Sequence, residues 1–235
     1  MLVKAVIFDI DGTLVDSVDL HAAAWQQAFA KFGQQIPFER IRQQIGKGGD
    51  QLIPVFLSRE ELDRFGKQLE EYRSDLFKRE YLPRVRPFPL VRELFERIRH
   101  DGKRVTLASS AKQDELAVYE RIANIEDLVE AAASADDVER SKPHPDVFEA
   151  ALERLGDVEP AEAIVVGDTP YDVEAAARAE LRTMAVLCGG FPEAELRAPG
   201  CIAIYRDPAD LLARYEESPL ARDQPPPPEV PILLT

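Results

Sequence analysis

The chain has 235 residues, and its apolar fraction of 45% is enough to build a globular core. Its 43 Asp and Glu residues outnumber its 29 Lys and Arg residues, which gives a net charge of −14. Such a surface disfavours nucleic acid and anionic membranes as partners, because both are bound chiefly through cationic side chains. Any phosphate-binding site in this chain must therefore carry its own local positive charge.

Residues 3–8 are the first apolar stretch, and they are too few for a signal peptide or a membrane-spanning helix. We therefore expect a cytoplasmic protein with no membrane partner. The two cysteines, Cys188 and Cys201, have neither the spacing of metal ligands nor the density of a disulfide scaffold.

Six short runs are apolar on consecutive residues, which is typical of buried parallel strands. The stronger ones are 3–8, 104–108, 163–166 and 183–187, and the weaker ones are 130–133 and 202–205. Helical patterns that end at Gly102 and Gly156 lie between them. The alternation predicts an α/β fold with a doubly wound, mostly parallel, Rossmann-like sheet formed by residues 1–16 and 87–215.

Residues 17–86 interrupt this alternation and show no strand pattern. His21, Trp25 and Phe29 recur at a spacing of four, as on one face of a helix, so we expect His21 to pack and not to catalyse. A second helix should begin at Ser58, because Ser58 and Glu61 form a capping-box pattern. The segment is predicted to be a small helical domain inserted after the first strand.

The segment 216–235 is expected to be a proline-rich tail. Four consecutive prolines at 225–228 favour an extended segment on the surface or a disordered one, rather than a packed element. A ligand for a proline-binding domain is the alternative.

Polar side chains follow the strands of the predicted sheet. Asp9 and Asp11 follow the first strand, Ser109 and Ser110 follow the run 104–108, and Asp168 follows the run 163–166. In a doubly wound sheet these positions meet in the crevice at the carboxyl ends of the strands. Carboxylates that converge there repel one another unless a hard cation lies between them, so we expect Mg²⁺.

Three other kinds of site, a calcium loop, a Walker phosphate loop and a Ser-His-Asp triad, do not fit the residues. Asp11-Gly12 is also turn chemistry, but a calcium loop would place the glycine after a third acidic position. The glycine-rich segment 46–49 lacks the spacing of a Walker loop, and no histidine has an evident Ser and Asp partner.

Four segments, in order, resemble the motifs of the haloacid dehalogenase-like hydrolases. The run from Asp9 to Ser17 is similar to the first motif, and Ser109 after an apolar strand is similar to the second. The third and fourth motifs resemble residues 141–146, which include Lys142, and residues 167–172. The inserted helical segment 17–86 then corresponds to the cap domain of one branch of the family.

The resemblance implies a role for each motif residue. Asp9 would be the nucleophile that forms an aspartyl-phosphate, and Asp11 would be the general acid and base. Mg²⁺ would be held by the carboxylates of Asp9 and Asp168 and by the Asp11 backbone carbonyl. Ser109 and Lys142 would contact the transferring phosphoryl group, with Ser110 beside them in the substrate site.

Asp172 has two possible roles. By resemblance it would lie at or just behind the metal ion. The segment from Thr169 to Asp172 is also a good helix start, so Asp172 could act by capping alone.

Asp11 narrows the expected reaction, since dehalogenases and phosphonate-cleaving relatives carry another residue there. The implied activity is a Mg²⁺-dependent phosphatase acting on a small phosphorylated metabolite, and the alternative is a sugar phosphomutase of the β-phosphoglucomutase type. Similar mutases usually have arginine where this chain has Gly49, which favours the phosphatase. By resemblance to related caps, Gly46 and Lys47 in the same loop are expected to face the substrate, and a solvated loop lysine is the alternative for Lys47.

A non-catalytic interaction protein of the same fold is a third hypothesis. It is disfavoured because Asp9, Asp11, Lys142 and Asp168 are all present. The sequence leaves the substrate undetermined, and we expect a monomer or a weak homodimer.

Overall fold

The computed structural model describes residues 2–221. The predicted extended segment with the prolines at 225–228 lies outside the described residues. None of the described helices is long and apolar enough to cross a membrane.

Eight strands are present in the described part of the chain: β1 (Ala5–Phe8), β2 (Val15–Asp16), β3 (Arg86–Pro87), β4 (Arg104–Ala108), β5 (Ala131–Ala133), β6 (Ala163–Gly167), β7 (Arg182–Val186) and β8 (Ala203–Tyr205). Six of them form one sheet in the order β5-β4-β1-β6-β7-β8, and every neighbouring pair is parallel. The predicted doubly wound parallel sheet is confirmed, and its strands lie within two residues of the predicted bounds.

The α-helices of the described chain are α1 (Val18–Lys31), α2 (Phe38–Arg42), α3 (Gly49–Leu52), α4 (Arg59–Glu61), α5 (Lys67–Leu76), α6 (Val91–His100), α7 (Gln113–Ala123), α8 (Asp146–Leu155), α9 (Pro170–Arg178), α10 (Glu193–Arg197) and α11 (Pro208–Ala213). Two π-helical segments, Leu62–Gly66 and Phe77–Tyr81, adjoin α5, so the backbone stays helical from α4 to Tyr81. Ser58 caps this helical stretch, and the predicted capping box with Glu61 is present.

The central strand β1 is buried on both faces. Val6 and Phe8 pack into the hydrophobic cluster on one side of the sheet, while Ala5 and Ile7 pack into the cluster on the other side. This alternation follows from the two-residue repeat of a strand, and it explains why the whole run had to be apolar. Because Phe8 pairs with Leu107 of β4 and with Val166 of β6, the residues after all three strands lie at one edge.

The helical segment between β2 and β3 has its own apolar cluster, built around Trp25, Phe29, Ile41 and Leu69. No strand was predicted in residues 17–86, and this was wrong at Arg86, which forms β3 with Pro87. These two residues pair antiparallel with Val15–Asp16, in a ribbon too short to leave a periodic pattern.

Contacts between the helical segment and the sheet close the segment over the strand ends. The Tyr171 hydroxyl donates to the Gln43 carbonyl at 2.6 Å, and the Ser141 amide donates to the Asp50 carboxylate at 3.1 Å.

Toward the C-terminal end of the described residues, Leu220 is buried in the main hydrophobic cluster, so packing continues past the expected start of the tail at 216.

Candidate active site

Asp9 and Asp168 lie side by side at the carboxyl ends of β1 and β6. The Thr13 hydroxyl lies 3.0 Å from Asp9 Oδ2 and 3.1 Å from Asp168 Oδ1, so it bridges the two carboxylates. Gly12 has a φ of +84°, and a Cβ atom there would collide with the Asp168 carboxylate. The glycine of the first motif therefore allows the loop after β1 to approach β6 closely.

Lys142 is fully buried, and its ammonium group supplies the positive charge of the site. Its Nζ atom lies 2.5 Å from Asp9 Oδ1 and 2.8 Å from Asp172 Oδ1, and it donates to the Ala108 carbonyl at 3.1 Å. Burial alone would lower the pKa of Lys142, but the charges of Asp172 and Asp9 outweigh it and keep the pKa above its ordinary value. The lysine is therefore a permanent cation beside the predicted nucleophile.

The carboxylates of Asp9, Asp168 and Asp172 form a cluster that fits a divalent cation. One oxygen from each lies within 4.8 Å of the others, and Asp168 Oδ2 is buried with no hydrogen-bond partner in residues 2–221. Burial raises the pKa of Asp9 to about 7, and burial together with the charges of Asp9 and Asp172 raises that of Asp168 well above its usual range. An all-oxygen site of this kind suits Mg²⁺, which would also relieve the repulsion.

Asp172 performs the predicted capping role. Its Oδ2 atom accepts from the Thr169 amide at 3.0 Å and from the Thr169 hydroxyl at 2.6 Å, at the start of α9. Its Oδ1 atom forms the ion pair with Lys142. Asp172 therefore links the helix cap to the lysine, and it lies beside the cation position as well.

Asp11 points away from this cluster and toward the helical segment. Its Oδ1 atom accepts from the Ser17 hydroxyl at 2.5 Å and lies 2.8 Å from His21 Nε2. Burial would raise the pKa of Asp11, but hydrogen bonds from His21, Ser17 and Tyr119 hold it below its ordinary value. These surroundings stabilise the ionised form of Asp11.

His21 does more than the packing role expected for it. It stacks on Phe77 at 4.0 Å between ring centroids, as a packing residue would, and it also reaches Asp11. The Arg73 guanidinium hydrogen-bonds its other ring nitrogen, Nδ1. Since arginine can only donate, Nδ1 accepts and the ring proton on Nε2 is directed at Asp11.

Two cavities meet above the strand ends. The inner cavity is lined by Asp9, Asp11, His21 and the predicted substrate residues Gly46, Lys47 and Ser110. An outer cavity is adjacent to it, and seven residues line both: Trp25, Gly48, Gly49, Arg73, Ser110, Ala111 and Glu115.

The two serines after β4 are placed differently. Ser110 lines the inner cavity and donates to the Gly46 carbonyl at 3.3 Å. Ser109 is fully buried, its hydroxyl accepts from the Ala111 amide at 3.0 Å, and it is absent from the described wall of that cavity.

Lys47 is the cation of the predicted substrate loop. It lies in the wall of the inner cavity, and its Nζ atom donates to Gln44 at 2.6 Å and lies 4.5 Å from the centre of the Tyr171 ring. Burial lowers its pKa.

Arg73, Glu115 and Tyr119 are candidate functional residues that sequence analysis did not identify. Arg73 lies four residues from both Leu69 and Phe77, which are buried, so it is on the buried face of its helix. A charged residue on such a face is unusual and could have identified Arg73 as a candidate from the sequence. Glu115 and Tyr119 lie on α7, and no motif indicates that this helix faces the helical segment.

A profile of the haloacid dehalogenase-like hydrolases matches residues 6–186, which is most of the chain. The chain therefore belongs to the haloacid dehalogenase-like hydrolase family. This agrees with the fold and with the convergence of its four motifs at one edge of the sheet.

The chain aligns with named relatives over most of its length. It is 28% identical to a phosphoglycolate phosphatase from Aquifex aeolicus, over 79% of this chain and 85% of that protein. It is also 28% identical to a phosphorylated carbohydrates phosphatase from Thermotoga maritima, over 91% and 99% of the two chains. Among solved structures, a hydrolase from Pseudomonas syringae is similar with a TM-score of 0.84 and 31% identity, over 91% of this chain and 98% of the other.

Proposed function

We propose that the chain is a Mg²⁺-dependent phosphatase that hydrolyses a small phosphorylated metabolite through an aspartyl-phosphate on Asp9. The observation that carries the proposal is the contact of Asp9 with the buried Lys142. Asp9 lines the inner cavity together with Asp11, and Asp168 lies beside it. The names of the two relatives, both phosphatases, support the same activity.

In the first half of the reaction, an Asp9 carboxylate oxygen attacks phosphorus and the bond to the substrate alcohol breaks. Asp11 transfers its proton to the departing alkoxide, which leaves as the neutral alcohol. Lys142 stays charged throughout and balances the negative charge beside the nucleophile. When Mg²⁺ is bound by Asp9 and Asp168, it supplies charge neutralisation for the phosphoryl oxygens.

In the second half, water attacks phosphorus of the aspartyl-phosphate, and the bond to the Asp9 oxygen breaks. Asp11, ionised after the first half, accepts the proton of this water and is ready for the next cycle. The hydrogen bonds from Ser17 and His21 favour the ionised state of Asp11 that this step requires.

We assign substrate selection to the cap, residues 17–86, which supplies Gly46, Lys47 and Arg73 to the cavity wall. The phosphomutase alternative is disfavoured at Gly49. Similar mutases carry an arginine at this position, whereas Gly49 packs against the Glu70 carboxylate and supplies no cation. A single chain supplies every proposed catalytic residue, which is compatible with a monomer or a weak homodimer.

Phosphate release from a panel of phosphate monoesters, measured with and without Mg²⁺, tests the proposal. We expect release that needs Mg²⁺ and that falls by at least about 10³-fold in Asp9→Asn, since the covalent route is then closed. Release that survives this substitution would refute the assigned nucleophile. Isomerisation of a sugar phosphate that outpaces release would identify a mutase instead.

A further inference from the structure

Three hydrogen-bond donors surround the Asp11 carboxylate, and each belongs to a different part of the fold. Ser17 lies where the cap begins, and His21 lies on the cap helix α1. Tyr119 lies on the core helix α7 and also hydrogen-bonds Asp11. The four family motifs do not include this tyrosine, and the proposed catalytic steps do not use it.

Tyr119 is held rigidly in the core. Its side chain is only 1% exposed and packs in the main hydrophobic cluster, together with Leu107 and Leu116. It does not belong to the described wall of the inner or the outer cavity, so it does not touch a substrate bound there. Any effect of its hydroxyl group on the reaction must therefore pass through a neighbouring side chain.

The direction of the Tyr119 hydrogen bond follows from its neighbours. The tyrosine oxygen lies 3.1 Å from His21 Nε2, which also lies 2.8 Å from Asp11 Oδ1. Because Arg73 donates to the other ring nitrogen of His21, Nε2 carries a proton and cannot accept one from the tyrosine. The proton of the Tyr119 hydroxyl is therefore directed at the Asp11 carboxylate, with which it hydrogen-bonds.

Asp11 has to present one of its two oxygens to the substrate. Ser17 and His21 both donate to Oδ1, and neither uses Oδ2. The Asp11 side chain is 15% exposed and lines the inner cavity, so Oδ2 is the oxygen left to carry the transferred proton. Rotation of the carboxyl group would destroy this arrangement, because the two oxygens would exchange places.

Tyr119 is the donor that does not depend on the cap. Asp11 and Tyr119 both belong to the core, whereas the contact from His21 requires a docked cap. A phenolic hydroxyl is a donor at neutral pH, and it can donate to a carboxyl group in either protonation state. Asp11 must be held in both states, since it gives a proton in the first half of the reaction and takes one in the second.

We propose that Tyr119 is a positioning residue for proton transfer at Asp11, and that its hydroxyl group fixes the carboxyl group with Oδ2 toward the leaving-group oxygen. Tyr119 keeps its own proton throughout. The proton that moves is that of Asp11, which passes from Oδ2 to the oxygen of the departing alcohol as the bond from that oxygen to phosphorus breaks. The proposal rests on the proposed phosphatase function and adds a residue to its machinery.

Tyr119→Phe removes the hydroxyl group and keeps the ring. With glycerol 3-phosphate, or the alkyl ester of the panel that is hydrolysed fastest, we expect kcat/KM to fall on the order of 30-fold, through kcat and not through KM. With p-nitrophenyl phosphate the loss should be less than about threefold, because nitrophenolate leaves without a proton. Phenyl phosphate has the more basic of the two aryl leaving groups, so its loss should be intermediate.

Tyr215→Phe is the matched control. Tyr215 is 2% exposed, packs in the same cluster, and donates to an aspartate, Asp101, at 3.1 Å. Neither Tyr215 nor Asp101 lines the inner or the outer cavity. The control should lower Tm about as much as Tyr119→Phe does, and it should leave kcat/KM for every ester unchanged.

A double variant separates positioning from a purely structural role. In the Asp11→Asn background no proton transfer is left to orient, so adding Tyr119→Phe should change kcat/KM for either aryl ester by less than about twofold. A tyrosine that only supports the fold would lower kcat/KM in this background as well.

The proposal would be overturned, with the phosphatase function intact, by equal losses for all esters in Tyr119→Phe, by no loss for any, or by the same loss in the Asp11→Asn background. A Tyr119→Phe protein that fails to fold where Tyr215→Phe is folded would also overturn it, because the hydroxyl group would then serve stability. If no alkyl ester is hydrolysed, phenyl phosphate against p-nitrophenyl phosphate decides the same question. No release from any ester by the unaltered chain would overturn the proposed function, and this proposal with it.

Discussion

His21 Nε2 lies 2.8 Å from Asp11 Oδ1, and this contact joins the cap helix α1 to the predicted acid/base of the core. Arg73, from a second cap segment, hydrogen-bonds the other nitrogen of the same ring. The ionisation of Asp11 therefore depends on the cap being docked. The proposed proton transfer at Asp11 and the docking of the cap are therefore linked through one imidazole ring.

His21→Ala should impair the proton transfer and spare the nucleophilic attack. For an alkyl phosphate we expect kcat/KM to fall by about 10²-fold, because Asp11 loses the contact that orients it and with it the general-acid assistance to the leaving group. For p-nitrophenyl phosphate the loss should be less than about tenfold, because nitrophenolate leaves without a proton. Loss of the His21 donor should also raise the pKa of Asp11, so the acid limb of kcat should move to higher pH.

His21→Gln is the control for this prediction, since a glutamine can place an N–H near the position of Nε2. It should recover part of the activity toward the alkyl phosphate. Equal losses for both substrates in His21→Ala, with no recovery in His21→Gln, would indicate a purely structural role.

Stabilisation by Mg²⁺ should depend on pH. The pKa of Asp9 is raised to about 7 from an ordinary value of 3.8, and that of Asp168 is raised as well. Without metal, these groups therefore add stability that is fully present below pH 3.8 and is lost as the pH rises through about 7. Mg²⁺ requires the ionised carboxylates, so its stabilising effect should appear above that pH.

Thermal unfolding at pH 5.5 and pH 8, with MgCl₂ and with EDTA, measures this effect. At 100 times Kd, a ligand stabilises the folded state by about 2.7 kcal/mol, which for a chain of this size raises Tm by about 5–10 °C. We expect such a rise at pH 8 and a much smaller one at pH 5.5. Asp168→Asn should abolish the rise and, by removing a repelling charge, leave the metal-free protein at least as stable. A rise of the same size at both pH values would contradict the prediction.

The sheet could be predicted because its strands are buried on both faces and therefore apolar throughout. β4 was predicted with its observed bounds, Arg104–Ala108, and Asp9 and Asp168 could be brought together because parallel strands end at one edge. The ribbon of β2 and β3 could not be predicted, because strands of two residues are too short to show a periodic pattern. The helical stretch after Ser58 was predicted from its cap, but nothing in the residues indicated its π-helical segments.

The site was harder to predict where it depends on docking of the cap. Lys142 was found only by resemblance, since a lysine in a loop is ordinarily exposed, whereas here it is fully buried. Arg73 and Glu115 belong to elements whose relative placement no local pattern specifies. His21 was expected to pack because its spacing matches an apolar face, and spacing cannot show that the same ring also reaches Asp11.

Lys142→Met should destabilise the protein strongly. The buried ammonium pairs with both Asp9 and Asp172, so its removal leaves carboxylates in the interior without a counter-charge. Breaking a buried ion pair in this way costs about 3–5 kcal/mol, or about 6–20 °C in Tm for a chain of this size. Part of the loss should disappear at pH 5, where Asp9 can take up a proton.

Lys78→Met is the matched control, because Lys78 also pairs with an aspartate, Asp114, but at the surface. A surface pair contributes at most about 1 kcal/mol, so Tm should change by less than about 4 °C. Similar shifts for the two variants would show that the Lys142 pairs are no more important to stability than an exposed one.

Asp172→Asn distinguishes a role at the metal from a role at the helix start. An asparagine can still accept the hydrogen bond from the Thr169 amide, so the cap of α9 should survive and Tm should change little. The ion pair with Lys142 and the charge near the metal are lost, however. We expect the affinity for Mg²⁺, measured by titration calorimetry, to fall by about 10–100-fold, which is the usual effect of removing a group that supports the metal ligands.

Thr169→Ala should do the opposite, lowering stability by about 1 kcal/mol with little change in Mg²⁺ affinity. If Asp172→Asn binds Mg²⁺ as tightly as the unaltered chain, Asp172 serves the helix and the lysine alone.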